Sequence, residues 1–319
     1  MSFDKAAGML FGLALGDALG APVEFKRLPD IKAEYGREGI QQPPDPALYT
    51  DDTQMTLALA EGLLNAGLNA PLEARMEAVG RRFIDWLHSP ENNRAPGNTC
   101  IKGVQRYEAG SAWSEAGLVE SKGCGSAMRV APIGYCYQHD EAALRETAEA
   151  SSRITHRHPA ALAASVAAAY AVKLALDGAA TNHYLRLIMQ FIDGMSAEMD
   201  DALYRVGHAG AWADEEAALE HIGQGWTGEE AVALALYCVL RYPDDYAACM
   251  RRAANTNGDS DSIACIAGSI IGARLGIDAV PAEWRERCEN AAYLSELARR
   301  MVEARALNVP ADERVSDGS

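Results

Sequence analysis

Apolar residues recur at three- and four-residue spacing along almost the whole chain, and runs of alternating β-branched residues are scarce. This periodicity predicts helices near 3–20, 52–66, 72–88, 98–109, 124–136, 141–153, 158–176, 182–199, 213–221, 228–240, 244–254, 260–274 and 283–306. The fold class that follows is all-α. Segments such as AALAASVAAAYAVKLAL are so rich in alanine that their helices can approach closely inside a bundle. Gly8, Gly12, Gly16 and Gly20 fall four apart and form one stripe on the first predicted helix. Each glycine costs about 1 kcal/mol against alanine in a helix interior, so the stripe implies a compensating close approach, of another helix or of a ligand near Gly16 to Gly20.

Punctuation is heaviest in two loops, 36–50 (GREGIQQPPDPALYT) and 88–99 (HSPENNRAPGNT), which are expected to border a cleft. No linker divides the chain. The expectation is one domain over 1–307 and a polar, frayed tail over 308–319.

The 319 residues carry a formal charge of -16, with 49% hydrophobic and 23% charged residues. That describes a globular protein without the basic surface a duplex nucleic-acid binder needs. The apolar start, FDKAAGMLFGLALGDALGAPVE, is interrupted by Asp17 and reads as a buried helix rather than a membrane span or leader. Seven cysteines, odd in number and without a C-x-x-C, indicate neither a disulfide framework nor a thiolate zinc site. A cytoplasmic monomer is expected.

Candidate chemistry begins at YTDDTQMT. Thr50 or Asp51 suits a helix N-cap, with Gln54 completing a capping box. Far along the chain, NGDSDS repeats the pattern: Asp259, Asp261 and Ser262 follow a glycine turn and lead into an apolar helix. Each cluster holds more oxygen donors than a cap uses. If the two helix starts meet, Thr50, Asp51, Asp52, Asp259, Asp261 and Ser262 bring six oxygen-bearing side chains and four negative charges together. Such acids repel one another and resist ionisation unless cations separate them, and an all-oxygen set favours Mg²⁺, Mn²⁺ or Ca²⁺. Two ions sharing the aspartates suit the charge count.

GDALGAPVE, YTDDTQMT, GNTC, GCGSAMR, RITHRHP and NGDSDS, in that order over about residues 3–300, resemble the ADP-ribosylglycohydrolase family. The resemblance implies a single large orthogonal multi-helix bundle with a binuclear Mg²⁺ or Mn²⁺ cleft. It also implies removal of ADP-ribose from a modified protein, with arginine as the leading acceptor and serine, a nucleic-acid base or O-acetyl-ADP-ribose as alternatives. Carried over by motif, Thr50, Asp51, Asp52, Asp259, Asp261 and Ser262 are the metal set, with Ser262 where the family usually has threonine. Glu24, Asp52 and Asp261 are the catalytic candidates. Gly123, Gly125 and Ser126 resemble the glycine-rich diphosphate loop at a helix start, with Cys124 where many relatives have asparagine. His156 resembles the cleft histidine, and Asn98 and Thr99 shape the rim. Where some arginine-specific relatives have an aspartate, this chain has Ala95, which shifts that task to Glu91, Glu24 or water, or signals another acceptor.

Two rivals remain on the sequence. One is a family member that binds ADP-ribose with little turnover. The other is an all-α metal-dependent diphosphate lyase, against which the absent D-D-x-x-D motif counts.

Overall fold

The first helix, α1 (Phe3–Gly20), lies along α15 (Ser260–Leu275), the helix that follows NGDSDS, so the two most distant motifs share one helix pair. A computed structural model describes residues 3–308 of the chain, and the part of the expected tail from 309 to 319 lies outside the described residues. Between these two helices come α2 (Leu28–Tyr35), α3 (Asp51–Ala66), α4 (Leu72–Leu87), α5 (Asn98–Glu108) and α6 (Trp113–Ala116). Then follow α7 (Ala131–Cys136), α8 (Glu141–Arg153), α9 (Pro159–Leu176), α10 (Tyr184–Phe191) and α11 (Ala197–Ala209). The series continues with α12 (Glu215–Ile222), α13 (Gly228–Arg241) and α14 (Tyr246–Ala254), and α16 (Ala282–Arg287) and α17 (Ala291–Asn308) close it. Only isolated bridges, and no strands, occur among the described residues.

The glycine stripe explains the central pair. A Cβ added at Gly8, Gly12 or Gly16 would lie closer than 3.0 Å to the carbonyl oxygen of Gly272, Gly268 or Ala264, and one at Gly20 would strike the backbone of Asp261. Gly268 and Gly272 face Gly12 and Gly8 in return. Backbone contact of this kind offsets the glycine cost by dispersion along the whole seam. It also delivers the end of α1 to the first turn of α15. The stripe is therefore a helix-packing surface, and its end meets Asp261 rather than a ligand.

Around this pair, α9, α13 and α14 complete the interior, and α3 packs with α4 at one side. Helices α1 and α9 are long and apolar enough to cross a membrane, yet both lie mostly buried within the fold. All seven cysteines are free.

Three predicted helices divide in the structure. The segment 124–136 is a 3-10 turn at Cys124–Ser126, a bend, and then α7, which begins with Pro132 in its first turn where the missing N–H costs nothing. The segment 182–199 breaks where Gly194 takes a positive φ of 75° and Ser196 caps α11 by accepting from Met199 N (3.3 Å). The segment 283–306 breaks at Cys288–Asn290, where Glu289 N donates to Ala47 O (3.1 Å) and Asn290 adopts φ 54°. Helix α2 buries only Leu28 and Ile31, too thin a pattern to be read as a helix beforehand.

Candidate metal centre and cleft

Asp51 and Asp52 occupy the first turn of α3, where the unpaired N–H groups and the dipole favour negative charge. Asp259 caps α15 and Asp261 lies in its first turn. Because α15 is fixed along α1, and α1 in turn contacts α3, the two acidic helix starts face one cleft. Its volume is about 330 Å³, and its walls include Glu24, Asp51, Asp52, Asp259, Asp261 and Ser262. Carboxylate oxygens of Glu24, Asp259 and Asp261 lie within 4.8 Å of one another.

The residue that locks this geometry is Asp17. Fully buried on α1, it accepts from Thr50 N (2.9 and 3.0 Å), Thr50 Oγ1 (2.9 Å), Thr53 N (3.0 Å) and Thr53 Oγ1 (2.6 Å). An acid from another helix thus holds the start of α3, while Thr50 Oγ1 receives only a long contact from Asp52 N (3.5 Å). Gln54, expected to close a capping box, instead pairs with Trp86 Nε1 and Glu91 O.

Burial and mutual repulsion govern the ionisation of the acids. Burial, then the charge of Asp261, pushes Asp17 up to about 7 and Glu24 up to about 10. Burial pushes Asp51 up to about 8, opposed by the Gly97 N–H that donates to its Oδ2 (3.1 Å). Asp52 and Asp259 are held well above the usual carboxylate range, again by burial first and by Asp261 next. The five of these acids that line the cleft, Glu24, Asp51, Asp52, Asp259 and Asp261, are the complement of hard divalent cations. Asp52 Oδ2 is buried without a hydrogen-bond partner, an orphan acceptor that a cation would satisfy. The donor set fits.

The remaining wall comes from Phe25, Ala95–Cys100, the turn Gly123–Gly125, Met128, His156 and Trp226. Of the two loops expected to border a cleft, only 88–99 contributes lining residues; 36–50 leads into α3 without reaching the cavity. Asn98, Thr99, Gly123, Gly125 and His156 all line it, whereas Thr50 and Ser126 do not. Ser126 is fully buried with its hydroxyl unpaired. The glycine turn, expected at an α-helix start, opens a 3-10 turn instead. Cys124 Sγ donates to Asp259 Oδ2 (2.8 Å), tying this turn to the acidic cluster. His156 Nδ1 pairs with Thr155 Oγ1 (2.8 Å), and burial, then Arg129, drives its pKa down to about 3, so the ring is neutral.

Three positioning residues escape a reading of motifs. Asp17 is one. Arg129, at the end of GCGSAMR, is fully buried and donates to Gly125 O (3.1 Å), Ser151 O (2.9 Å) and Thr155 Oγ1 (2.8 Å), joining the turn to the histidine segment. Arg94 clasps Glu289 through both nitrogens (2.6 and 2.9 Å) and also donates to Tyr49 O (2.7 Å), holding the loop before Ala95 against the entry to α3. Ala95 itself is exposed, with a positive φ of 51°.

Comparison with known proteins agrees across the length of the chain. A family model described as ADP-ribosylglycohydrolase matches residues 1–311. The chain is 28% identical to the ADP-ribosyl-[dinitrogen reductase] glycohydrolase of Rhodospirillum rubrum, covering 90% of each protein. It is 24% identical to the ADP-ribosylarginine hydrolase Tri1 of Serratia proteamaculans, covering 94% of this chain and 79% of that one. A solved structure titled ADP-ribosylglycohydrolase-related protein complex superposes with a TM-score of 0.74 at 26% identity, covering 95% of this chain and 98% of that chain.

Proposed function

This chain belongs to the ADP-ribosylglycohydrolase family of glycosidic hydrolases, and from that premise we propose that it removes ADP-ribose from modified arginine on a protein, with two Mg²⁺ or Mn²⁺ ions as cofactors. The observation that carries the reading is the convergence of Glu24, Asp259 and Asp261 with Asp51 and Asp52 in one cleft. Those five carboxylates, with Ser262, are the groups that would hold the cations. When bound, divalent cations supply Lewis-acid polarisation and a fixed positive charge for ribose hydroxyls and an attacking water.

The chain's own residues do the rest. The Gly123–Gly125 turn and neutral His156 receive the diphosphate and its ribose without adding a competing charge. Asn98 and Thr99, at the start of α5, form the rim that orients the sugar. Water attacks the anomeric carbon, its C–O bond forms as the C–N bond to arginine breaks, and the water's proton passes to the departing guanidine nitrogen. Glu24, half-buried at the cleft wall, is the group assigned to carry that proton, while Asp52 and Asp261 fix the reacting centre.

Ala95 supports a second reading, a different ADP-ribosyl linkage, because it brings a methyl group to the cleft where an acid would assist at the ribose. A panel of arginine-, serine- and base-linked ADP-ribose and O-acetyl-ADP-ribose, incubated with Mn²⁺, separates the two. Release from the arginine linkage, lost in excess chelator and in Asp52→Ala and Asp261→Ala, is the expected result. Undiminished release in chelator or in either variant overturns the proposal.

A further inference from the structure

Away from the cleft, three aromatic side chains gather where α11 meets α12. His208 lies in the last turn of α11 and His221 in the last turn of α12. The fold sets His208 Nδ1 3.4 Å from His221 Nε2. Trp212, in the turn that joins the two helices, packs on both rings. Its centroid is 5.0 Å from that of His221 with 37° between planes, and 5.4 Å from that of His208 with 76°. Arg205 of α11 donates to Ile222 O and fastens the same two helices. His208 is exposed and His221 half-buried, so the pair is open to solvent.

The separation of the two nitrogens points to an ion. Hydrogen bonds donated by N–H groups cluster at roughly 2.7–3.2 Å, so a contact of 3.4 Å is a weak one. Two imidazole nitrogens on one tetrahedral Zn²⁺, with bonds of about 2.0–2.1 Å, stand roughly 3.3–3.4 Å apart. Orienting the ligand rings is a large part of what a metal site requires, and Trp212 already holds both.

Electrostatics favours a cation at the same place. Each histidine sits at the C-terminal end of its helix, where unpaired carbonyls carry the negative pole of the dipole. Among the described residues, neither imidazole is ion-paired with a carboxylate, unlike His88, which meets Glu108 Oε1 at 2.7 Å. Imidazole suits Zn²⁺, Ni²⁺ and Cu²⁺, whereas the carboxylates of the cleft suit Mg²⁺ and Mn²⁺, so ligand softness separates the two places.

We propose that His208 and His221 form a second metal site, distinct from the acidic cleft, in which one Zn²⁺ bound by the two imidazoles and by water clamps α11 to α12. From His221 the chain passes through Gly223 and Gly225 to the cleft wall at Trp226, so the clamp steadies the segment that leads into the cleft.

The test uses the full chain with its cleft saturated with Mn²⁺ and titrated calorimetrically with Zn²⁺. The wild type is expected to take up one Zn²⁺ more than His208→Gln or His221→Gln, because any Zn²⁺ that enters the cleft does so equally in all three. Removing an outer partner of a bound metal weakens affinity about 10–100-fold, and removing a direct ligand weakens it no less, so each variant is expected to lose at least about tenfold. Cu²⁺ at the pair is expected to quench the fluorescence component that Trp212→Phe lacks, and to leave that component unquenched in either histidine variant. In chelator both histidine variants are expected to melt within about 1 °C of wild type, as surface substitutions do, and added Zn²⁺ is expected to raise the wild-type melting temperature above theirs. Anomalous diffraction at the zinc edge from wild-type crystals needs no variant, and a peak is expected between His208 Nδ1 and His221 Nε2. Zn²⁺ stoichiometry and affinity shared by wild type and both variants, or no zinc peak between the two rings, overturns the proposal and leaves a hydrogen-bonded pair only.

Discussion

Asp17→Asn tests how the cleft is built, because it preserves volume while reversing one polar contact. The carboxylate of Asp17 accepts from two backbone N–H groups and two hydroxyls at the start of α3, all buried. An amide replaces one acceptor oxygen by an NH₂ that faces donors. Losing a charge-assisted hydrogen bond costs about 1.5–3 kcal/mol, and the buried donor left opposite adds about 1–3 kcal/mol. Reorientation of the two hydroxyls recovers part, so a net loss of about 3 kcal/mol is expected. At roughly 2 °C per kcal/mol for a chain of this size, thermal unfolding shifts down by about 6 °C. The more telling readout is Mn²⁺ affinity. Asp17 orients residues beside Asp51 and Asp52, and loss of such outer partners weakens metal binding by about 10–100-fold. Calorimetric titration of Mn²⁺ into the variant measures this directly. A variant that unfolds within about 1 °C of wild type and binds Mn²⁺ within about threefold would refute the claim that Asp17 sets the geometry.

Other perturbations probe separate links. Asp17, Asp51 and Glu24 have folded-state pKa values raised to about 7, 8 and 10, so the stability they contribute is present below their unfolded values and lost as pH rises through the folded ones. In chelator the melting temperature should therefore fall between about pH 5 and pH 8, and saturating Mn²⁺ should flatten that slope and release protons on binding; a rising slope in chelator contradicts the burial of these acids. Gly12→Ala would stabilise an exposed helix by about 1 kcal/mol, but against Gly268 O it should destabilise by about 1–3 kcal/mol, so the sign of the denaturation shift decides. Arg94→Ala and Glu289→Ala should each weaken Mn²⁺ binding through the entry to α3, and a double-mutant cycle should return a coupling of about 1–2 kcal/mol; additivity would mean that the clasp holds nothing.

The acids of the cleft were legible because each cluster sits at a helix start and exceeds what capping needs, and the glycine stripe was legible because its period matches the helix. In the sequence Asp17 is only an interruption of an apolar run. Its role depends on α1 passing the start of α3, which no local pattern encodes. The Arg94–Glu289 clasp and the Phe25–Trp226 stack join residues about two hundred positions apart, so they too are visible only in the fold. The helix breaks at Gly194 and Asn290 have a different cause: the apolar period runs on across both, and a left-handed residue together with the Ser196 cap in one and the Glu289–Ala47 hydrogen bond in the other divides each pair. Ser126, placed at the diphosphate by its motif, has a buried side chain and does not line the cavity, which only the fold reveals.

The central claim is that the two acidic helix starts form one cation site. Crystals grown with Mn²⁺ and ADP-ribose, measured at the manganese absorption edge, test it directly. Two anomalous peaks among Glu24, Asp51, Asp52, Asp259 and Asp261, with the ribose beside them, are the predicted result. Manganese bound elsewhere, or an empty acidic cleft at saturating Mn²⁺, would contradict the account.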